Sequence, residues 1–122
     1  MKNLLLILLV LSLFGCKDNF SREKYDVSLY FENATQTNLK LSIIEVNNKI
    51  KWTDKEILPN ESFTISFNIE KDIGIPEGGF VYKAYFSDGD STVINTGYFT
   101  NYQFQGKNPA YYKITKSGFE VR

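Results

Sequence analysis

Side chains capable of covalent chemistry are scarce in this 122-residue chain. It has no histidine and one cysteine, Cys16. Without an imidazole, no side chain titrates near neutrality at its unperturbed pKa. With one thiol, the chain can form no internal disulfide, no Cys–His nucleophile and no ordinary zinc set. Carboxylates of the kind that hydrolyse glycosides, such as Asp72 and Glu77, fall in a turn-rich loop where acids are ordinarily solvated. Asp88-Gly89-Asp90-Ser91-Thr92 spaces oxygen groups at alternate positions, as a calcium loop does. Such a loop needs a glutamate eleven residues after its first ligand, and Phe99 stands there instead. A hairpin turn is therefore expected at 88–90. No metal, no cofactor and no enzymatic activity is expected.

Aromatic residues offer a different chemistry, that of recognition. Residues 97–112 (GYFTNYQFQGKNPAYY) hold six Phe and Tyr rings. In a strand, the neighbours Tyr98-Phe99 and Tyr111-Tyr112 must point to opposite faces. Tyrosine suits binding surfaces because it combines a rigid face with a polar tip. Tyr98, Tyr102, Tyr111 and Tyr112 are thus expected to build a docking patch for a protein or a glycan, or else to seal the open end of a sandwich. The loop 71–79 (KDIGIPEGG) is the other candidate. Asp72, Ile75 and Glu77 there could enter a partner's active site, while Ile73 and Ile75 could plug the core.

The elements that must position these residues read as strands. Residues 62–70 (SFTISFNIE) alternate Phe63, Ile65, Phe67 and Ile69 with polar residues, the pattern of a strand with one wet face. Residues 26–32 alternate in the same way. Residues 39–46 place Leu39, Leu41 and Ile43 together and then change phase at Ile44 and Val46, which predicts a bulge or a more buried end. Asn47-Asn48 suits a tight turn, followed by a short strand around Ile50 and Trp52. Residues 80–87 are apolar on both faces, as a central strand is, and 91–96 follow the 88–90 turn. Residues 111–116 and 119–122 form a hairpin around Ser117-Gly118. The expected fold is all-β, an antiparallel β-sandwich of about seven or eight strands.

The amino end has another character. Residues 4–14 (LLLILLVLSLF) follow Lys2 and are too few to span a membrane permanently. This is the layout of a secretory signal peptide, with its short helix. Leu13-Phe14-Gly15-Cys16 resembles a bacterial lipobox, with a branched residue three before the cysteine and a small one just before it. The resemblance implies that Cys16 is acylated and becomes the new first residue. Lys17-Asp18 looks more like the surface-export signal of some Bacteroidota lipoproteins than like the inner-membrane retention signal. Asp90-Ser91-Thr92 likewise resembles an O-glycosylation sequon of exported Bacteroidota proteins; Asn33-Ala34-Thr35 and Asn60-Glu61-Ser62 fit the N-glycan pattern, which a bacterial lipoprotein rarely carries.

The expected organisation is a signal peptide over 1–15, a lipidated cysteine with a charged tether over 16–24, and a β-sandwich domain over 25–122. The phrase ILPNESFTISFNI, with the glycine loop and aromatic strand behind it, resembles immunoglobulin-like or transthyretin-like domains of small bacterial lipoproteins. Without Lys2 the chain has 13 basic against 14 acidic side chains and no basic block, which excludes a nucleic-acid partner. The expected location is the cell envelope, at the outer membrane, held there by lipid on Cys16. Two functions fit: a non-catalytic binding module, or an inhibitor or immunity-type lipoprotein that blocks an enzyme or toxin.

Overall fold

The structure is a computed structural model that describes residues 25–47 and 49–122. The signal peptide expected over 1–15, the lipidated cysteine and tether expected over 16–24, and Asn48 lie outside the described residues. Nine strands are described: β1 (Val27–Asn33), β2 (Leu39–Glu45), β3 (Lys51–Ile57), β4 (Ser62–Phe67), β5 (Gly78–Phe86), β6 (Ser91–Thr100), β7 (Gln103–Phe104), β8 (Ala110–Thr115) and β9 (Gly118–Val121). They form two sheets, ordered β4-β1-β8-β9 and β3-β2-β5-β6-β7. The expected β-sandwich is what the chain adopts, with the two-residue β7 beyond the seven or eight strands read from the sequence. One pair departs from the antiparallel rule: β1 and β8 run parallel, with Tyr30 beside Tyr111 and Phe31 beside Tyr112.

Alternation decides which side chains meet between the sheets. From the four-stranded sheet come Val27, Leu29, Phe31, Phe67, Tyr112 and Ile114, all buried. From the other come Leu39, Leu41, Ile43, Phe80, Tyr82 and Phe99, also buried. Rings tie the layers directly. Tyr82 stands edge-on to Phe31 at 5.1 Å and to Tyr112 at 5.2 Å between centroids, and Phe67 meets Phe80 at 5.5 Å. Strand β5 is central in its sheet, as its two apolar faces predict.

The phase change expected at Ile44 and Val46 does not occur. Alternation continues inward through Leu39, Leu41, Ile43 and Glu45, and Glu45 is fully buried while Val46 is half exposed. The physical reason is hydrogen bonding. The Glu45 carboxylate accepts from the Asn47 amide at 2.8 Å, the Asn47 side chain at 3.0 Å and the Lys49 amide at 3.2 Å. It satisfies the donors of its own turn, which outweighs the preference for an apolar residue there. A bulge does exist near β2, but its extra residue belongs to β3. Leu41 pairs with Lys55 and Ile43 with Trp52, and Asp54 sits at φ 57 in between.

Strand β4 stops at Phe67 rather than at Glu70. Ile69–Ile73 forms one wide π-type helical turn, closed by Gly74 at φ 76. Asn68 and Asp72 cap it reciprocally: the Asn68 side chain accepts from the Lys71 amide, and Asp72 Oδ2 accepts from the Asn68 amide at 2.7 Å. The turn buries Ile69 and Ile73 at the end of the core, as the plug reading of this loop expects.

The Tyr82 hydroxyl is buried without a hydrogen-bond partner. Burial first, and then the neighbouring Tyr112 hydroxyl, hold this phenol well above the ordinary tyrosine value of 10.0; the Tyr112 contact itself falls outside hydrogen-bond geometry. An unsatisfied buried hydroxyl costs about 1–3 kcal/mol, so Tyr82→Phe is expected to raise stability by about 1 kcal/mol. The pH dependence has a definite sign. The folded pKa lies above the unfolded one, so the stability tied to the neutral phenol is complete below pH 10. It falls by about 1.4 kcal/mol per pH unit above that. Urea titrations at pH 8 and pH 11 check both points. Destabilisation of Tyr82→Phe at pH 8 would show that the hydroxyl has a partner.

Candidate functional site

The outer face of the four-stranded sheet carries the side chains that alternate away from the core. Strand β1 contributes Ser28, Tyr30 and Glu32, β4 contributes Ser62, Thr64 and Ser66, and β8 contributes Tyr111 and Lys113. Register sets them in rows. Thr64, Tyr30 and Tyr111 lie side by side, and the next row runs Ser62, Glu32, Lys113 and Glu120. Tyr30 and Tyr111 stack at 4.7 Å with their planes 17° apart, and Tyr111 remains 43 % exposed. The Arg122 amide donates to the Tyr111 carbonyl at 3.0 Å, which places Arg122 across β8. Its guanidinium reaches Glu32 Oε2 at 3.2 Å.

These groups border an open cleft of about 170 Å³, lined by Tyr30, Glu32, Ser62, Tyr111 and Arg122 together with the inward-facing Phe31 and Tyr112. The ion pair is exposed, so it contributes little to stability. It does set guanidinium donors next to a carboxylate beside an aromatic surface. Tyr111 is legible in the sequence as a surface candidate, whereas Tyr30, Glu32 and Arg122 are not. The alternation of 26–32 put Tyr30 and Glu32 on one face, but only the parallel pairing of β1 with β8 brings them to Tyr111.

The four tyrosines named from the sequence do not form one patch. Tyr112 belongs to the core, because Ala110, Tyr112 and Ile114 are the inward positions of β8. It stacks on Phe31 at 5.3 Å and is not available as a surface group. Tyr111 lies on the wet face just described. Tyr98 is 57 % exposed on the other sheet, while its neighbour Phe99 is fully buried, as opposite-face pairing requires. Tyr102 forms a two-residue hairpin turn with Asn101, both with positive φ (48° and 58°). That conformation is strained for a bulky side chain, and the ring is held by packing against the core.

Tyr98 and Tyr102 are instead brought to the loop that sequence reasoning treated separately. The Tyr102 amide donates to the Pro76 carbonyl at 3.0 Å, and the Thr100 hydroxyl donates to Glu77 at 3.4 Å. Ile75 packs half-buried against the core, and Glu77 is exposed. Asp72, however, is the cap of the π-type turn, so its carboxylate is committed to the fold.

The Asp88–Asp90 segment is the expected hairpin turn, with the Phe86 amide donating to Asp90 and the Gly89 amide to Phe86. Lys116 bonds to Asp88, stands 3.6 Å from Asp90 and lies over the Phe86 ring at 4.5 Å. The Lys116 bond, followed by the Asp90 amide, holds the Asp88 carboxyl below the usual carboxylate range. These two exposed carboxylates link the β8–β9 turn to the β5–β6 turn and, like the other surface pair, contribute little to stability.

No family model matches the chain, and no curated relative is found. Among solved structures the chain is similar to an NMR structure of a protein from Eubacterium rectale. The TM-score is 0.51 at 11 % identity, over 84 % of this chain and 91 % of that one. At that identity the likeness shows a shared fold, a small all-β sheet domain.

Proposed function

We propose that the chain is a bacterial lipoprotein, anchored at the outer membrane of the cell envelope by an acylated Cys16, whose β-sandwich is a non-catalytic binding module. The lipobox-like Leu13-Phe14-Gly15-Cys16 supports the anchor, and the charged stretch 17–24 suits a spacer between bilayer and domain. The observation that carries the binding reading is the cleft on the wet sheet face. It exposes an aromatic surface beside an Arg122–Glu32 pair whose charges neutralise each other. Such groups can contact a ligand through hydrogen bonds and ring packing.

The anchor is tested by fatty-acid labelling. The wild type is expected to incorporate a labelled fatty acid and to lose residues 1–15, and the Cys16→Ser protein to do neither; a wild type that takes up no fatty acid would remove the lipid anchor. The module is tested by affinity capture of envelope components on the lipidated protein, with Tyr111→Ala and Tyr98→Ala compared. Loss of a saturable component with either variant supports the reading, and equal capture by both variants and wild type counts against it.

The inhibitor or immunity-type reading keeps one specific support. Ile75–Glu77 is braced by Tyr102 and Thr100, so the segment offers a fixed shape rather than a loose loop. Exchange of Glu77 and Asn101, which leaves the Asp72 cap intact, is the appropriate test for that alternative.

A further inference from the structure

We infer that the cleft between Tyr30, Tyr111 and the Arg122–Glu32 pair binds a sugar residue of a neutral glycan. This rests on the binding-module reading above and names its ligand class.

Four features of the cleft select that class. First, its ionic groups cancel. Arg122 engages Glu32 at 3.2 Å, and Lys113 stands between Glu32 and Glu120 in the same row. An anionic ligand would have to displace Glu32 and a cationic one Arg122, whereas an uncharged ligand displaces neither. Second, the paired guanidinium and carboxylate present donors and acceptors a hydrogen bond apart. Adjacent hydroxyls of a sugar, each both donor and acceptor, can bond to the two groups at once. Third, the Tyr30–Tyr111 stack sets an apolar surface beside this polar pair. One side of a sugar ring displays C–H groups and its rim displays hydroxyls, so the two halves of the cleft match the two chemistries of the ring. The floor of about 170 Å³ has room for one such ring, and Ser62 adds a hydroxyl at its edge.

Fourth, the position argues against a peptide strand. Strand β1 is paired on both sides, with β4 and β8, and β8 with β1 and β9. The free edges of this sheet lie at β4 and β9, so strand addition would seat a peptide along an edge and not over the Tyr30–Tyr111 stack, whose strands are fully paired. Recognition must come from side chains.

The test uses the full-length protein in detergent micelles, titrated with neutral cello-, malto- and manno-oligosaccharides by calorimetry and by NMR shift mapping. Polygalacturonate serves as the acidic comparison. At least one neutral series is expected to bind and to shift the amides of Tyr30, Glu32 and Tyr111. Tyr111→Ala is expected to weaken that binding about tenfold or more, as loss of an aromatic contact does. Tyr111→Phe, which keeps the stack, should retain most of it, and Arg122→Lys, which keeps the charge but loses the fork, should not. Tyr98→Ala, on the other sheet, should have no effect. All these positions point to solvent, and a thermal melt of each variant confirms the fold. Binding of polygalacturonate alone, an unaltered affinity in Tyr111→Ala, or no shift at the cleft with any neutral series would overturn the inference. A component captured through Tyr98 in the absence of saccharide binding would overturn the glycan and leave the binding module standing. No capture and no saccharide binding would remove both.

Discussion

Asn33→Ala is expected to lower the unfolding free energy by about 3–5 kcal/mol, since each buried polar group orphaned costs about 1–3 kcal/mol. Asn33 is fully buried at the end of β1, and every polar atom of its side chain is used. Its Nδ2 donates to the carbonyls of Thr37 at 2.8 Å and Ile57 at 2.9 Å. Its Oδ1 accepts from the Thr35 amide at 3.0 Å and the Thr35 hydroxyl at 2.6 Å. The main chain of the same residue binds the Asn60–Glu61 turn through Asn60 N to Asn33 O and Asn33 N to Glu61 O. One side chain thus joins a strand of the first sheet to Ile57, the last residue of β3 in the second. Alanine would strand the Ile57 carbonyl and the Thr35 amide in a site that water does not reach. Asn33→Asp should do no better, because it keeps the acceptor but sets a carboxylate against two carbonyls. A urea midpoint lowered at constant m-value is the expected readout; a loss under about 1 kcal/mol would show that the site relaxes or hydrates. The same geometry bears on the Asn33-Ala34-Thr35 sequon, whose asparagine is enclosed in the folded domain.

The second large effect is expected at Gly97. Here β6 carries an extra residue against β5, between the Gly78–Phe99 and Phe80–Thr96 pairs, and Gly97 has φ +71. A Cβ at this point would come within 2.9 Å of Phe80 Cδ2 and of the Tyr82 hydroxyl, and 3.3 Å from Phe104. Alanine therefore adds left-handed strain of about 1–2 kcal/mol to overpacking of about 1–3 kcal/mol. Gly97→Ala should lose about 2–5 kcal/mol in all. Gly89→Ala is the internal comparison. Its φ of +97 carries strain, but nothing lies within 4 Å of the added carbon. Its loss should stay near 1 kcal/mol. Because Tyr82 Oη is one of the colliding atoms, Tyr82→Phe should recover part of the Gly97→Ala loss, an interaction measurable as a double-mutant cycle. Equal losses at Gly89 and Gly97 would assign the effect to backbone strain alone.

Local pattern carried much of the fold. The alternation of Phe63, Ile65 and Phe67, the two apolar faces of 80–86 and the hairpin at 110–121 are nearest-neighbour signals, and the strands stand where those signals lie. Contacts that depend on distant register were not visible. Tyr30 and Tyr111 stack because a parallel pairing aligns residues 81 positions apart. Glu32 meets Arg122 for the same reason. The phase change expected at Ile44 and Val46 fails because nothing local shows that the Glu45 carboxylate will close its own turn. Tyr102 shows its aromatic surface in the sequence, but its left-handed backbone and its bond to Pro76 belong to a turn that favours glycine at that position. Tyr111 and Tyr112 show the limit compactly: adjacency required opposite faces, and only the sheet order told which face was wet.

The parallel pairing of β1 has a mechanical consequence. Traction on the chain ahead of Tyr25 runs along β1, which is flanked by β4 on one side and β8 on the other. Strand β1 cannot be peeled from an edge one bond at a time. Its ladders to β4 and β8 lie across the line of pull and must fail together, in shear. Forced unfolding is governed by the unfolding rate rather than by equilibrium stability, and a shear arrangement slows that step. A domain held at its amino end while its outer sheet face grips a fixed ligand would carry the load through the strand that also supplies Tyr30 and Glu32. The strand that bears the tension and the strand that lines the cleft are the same.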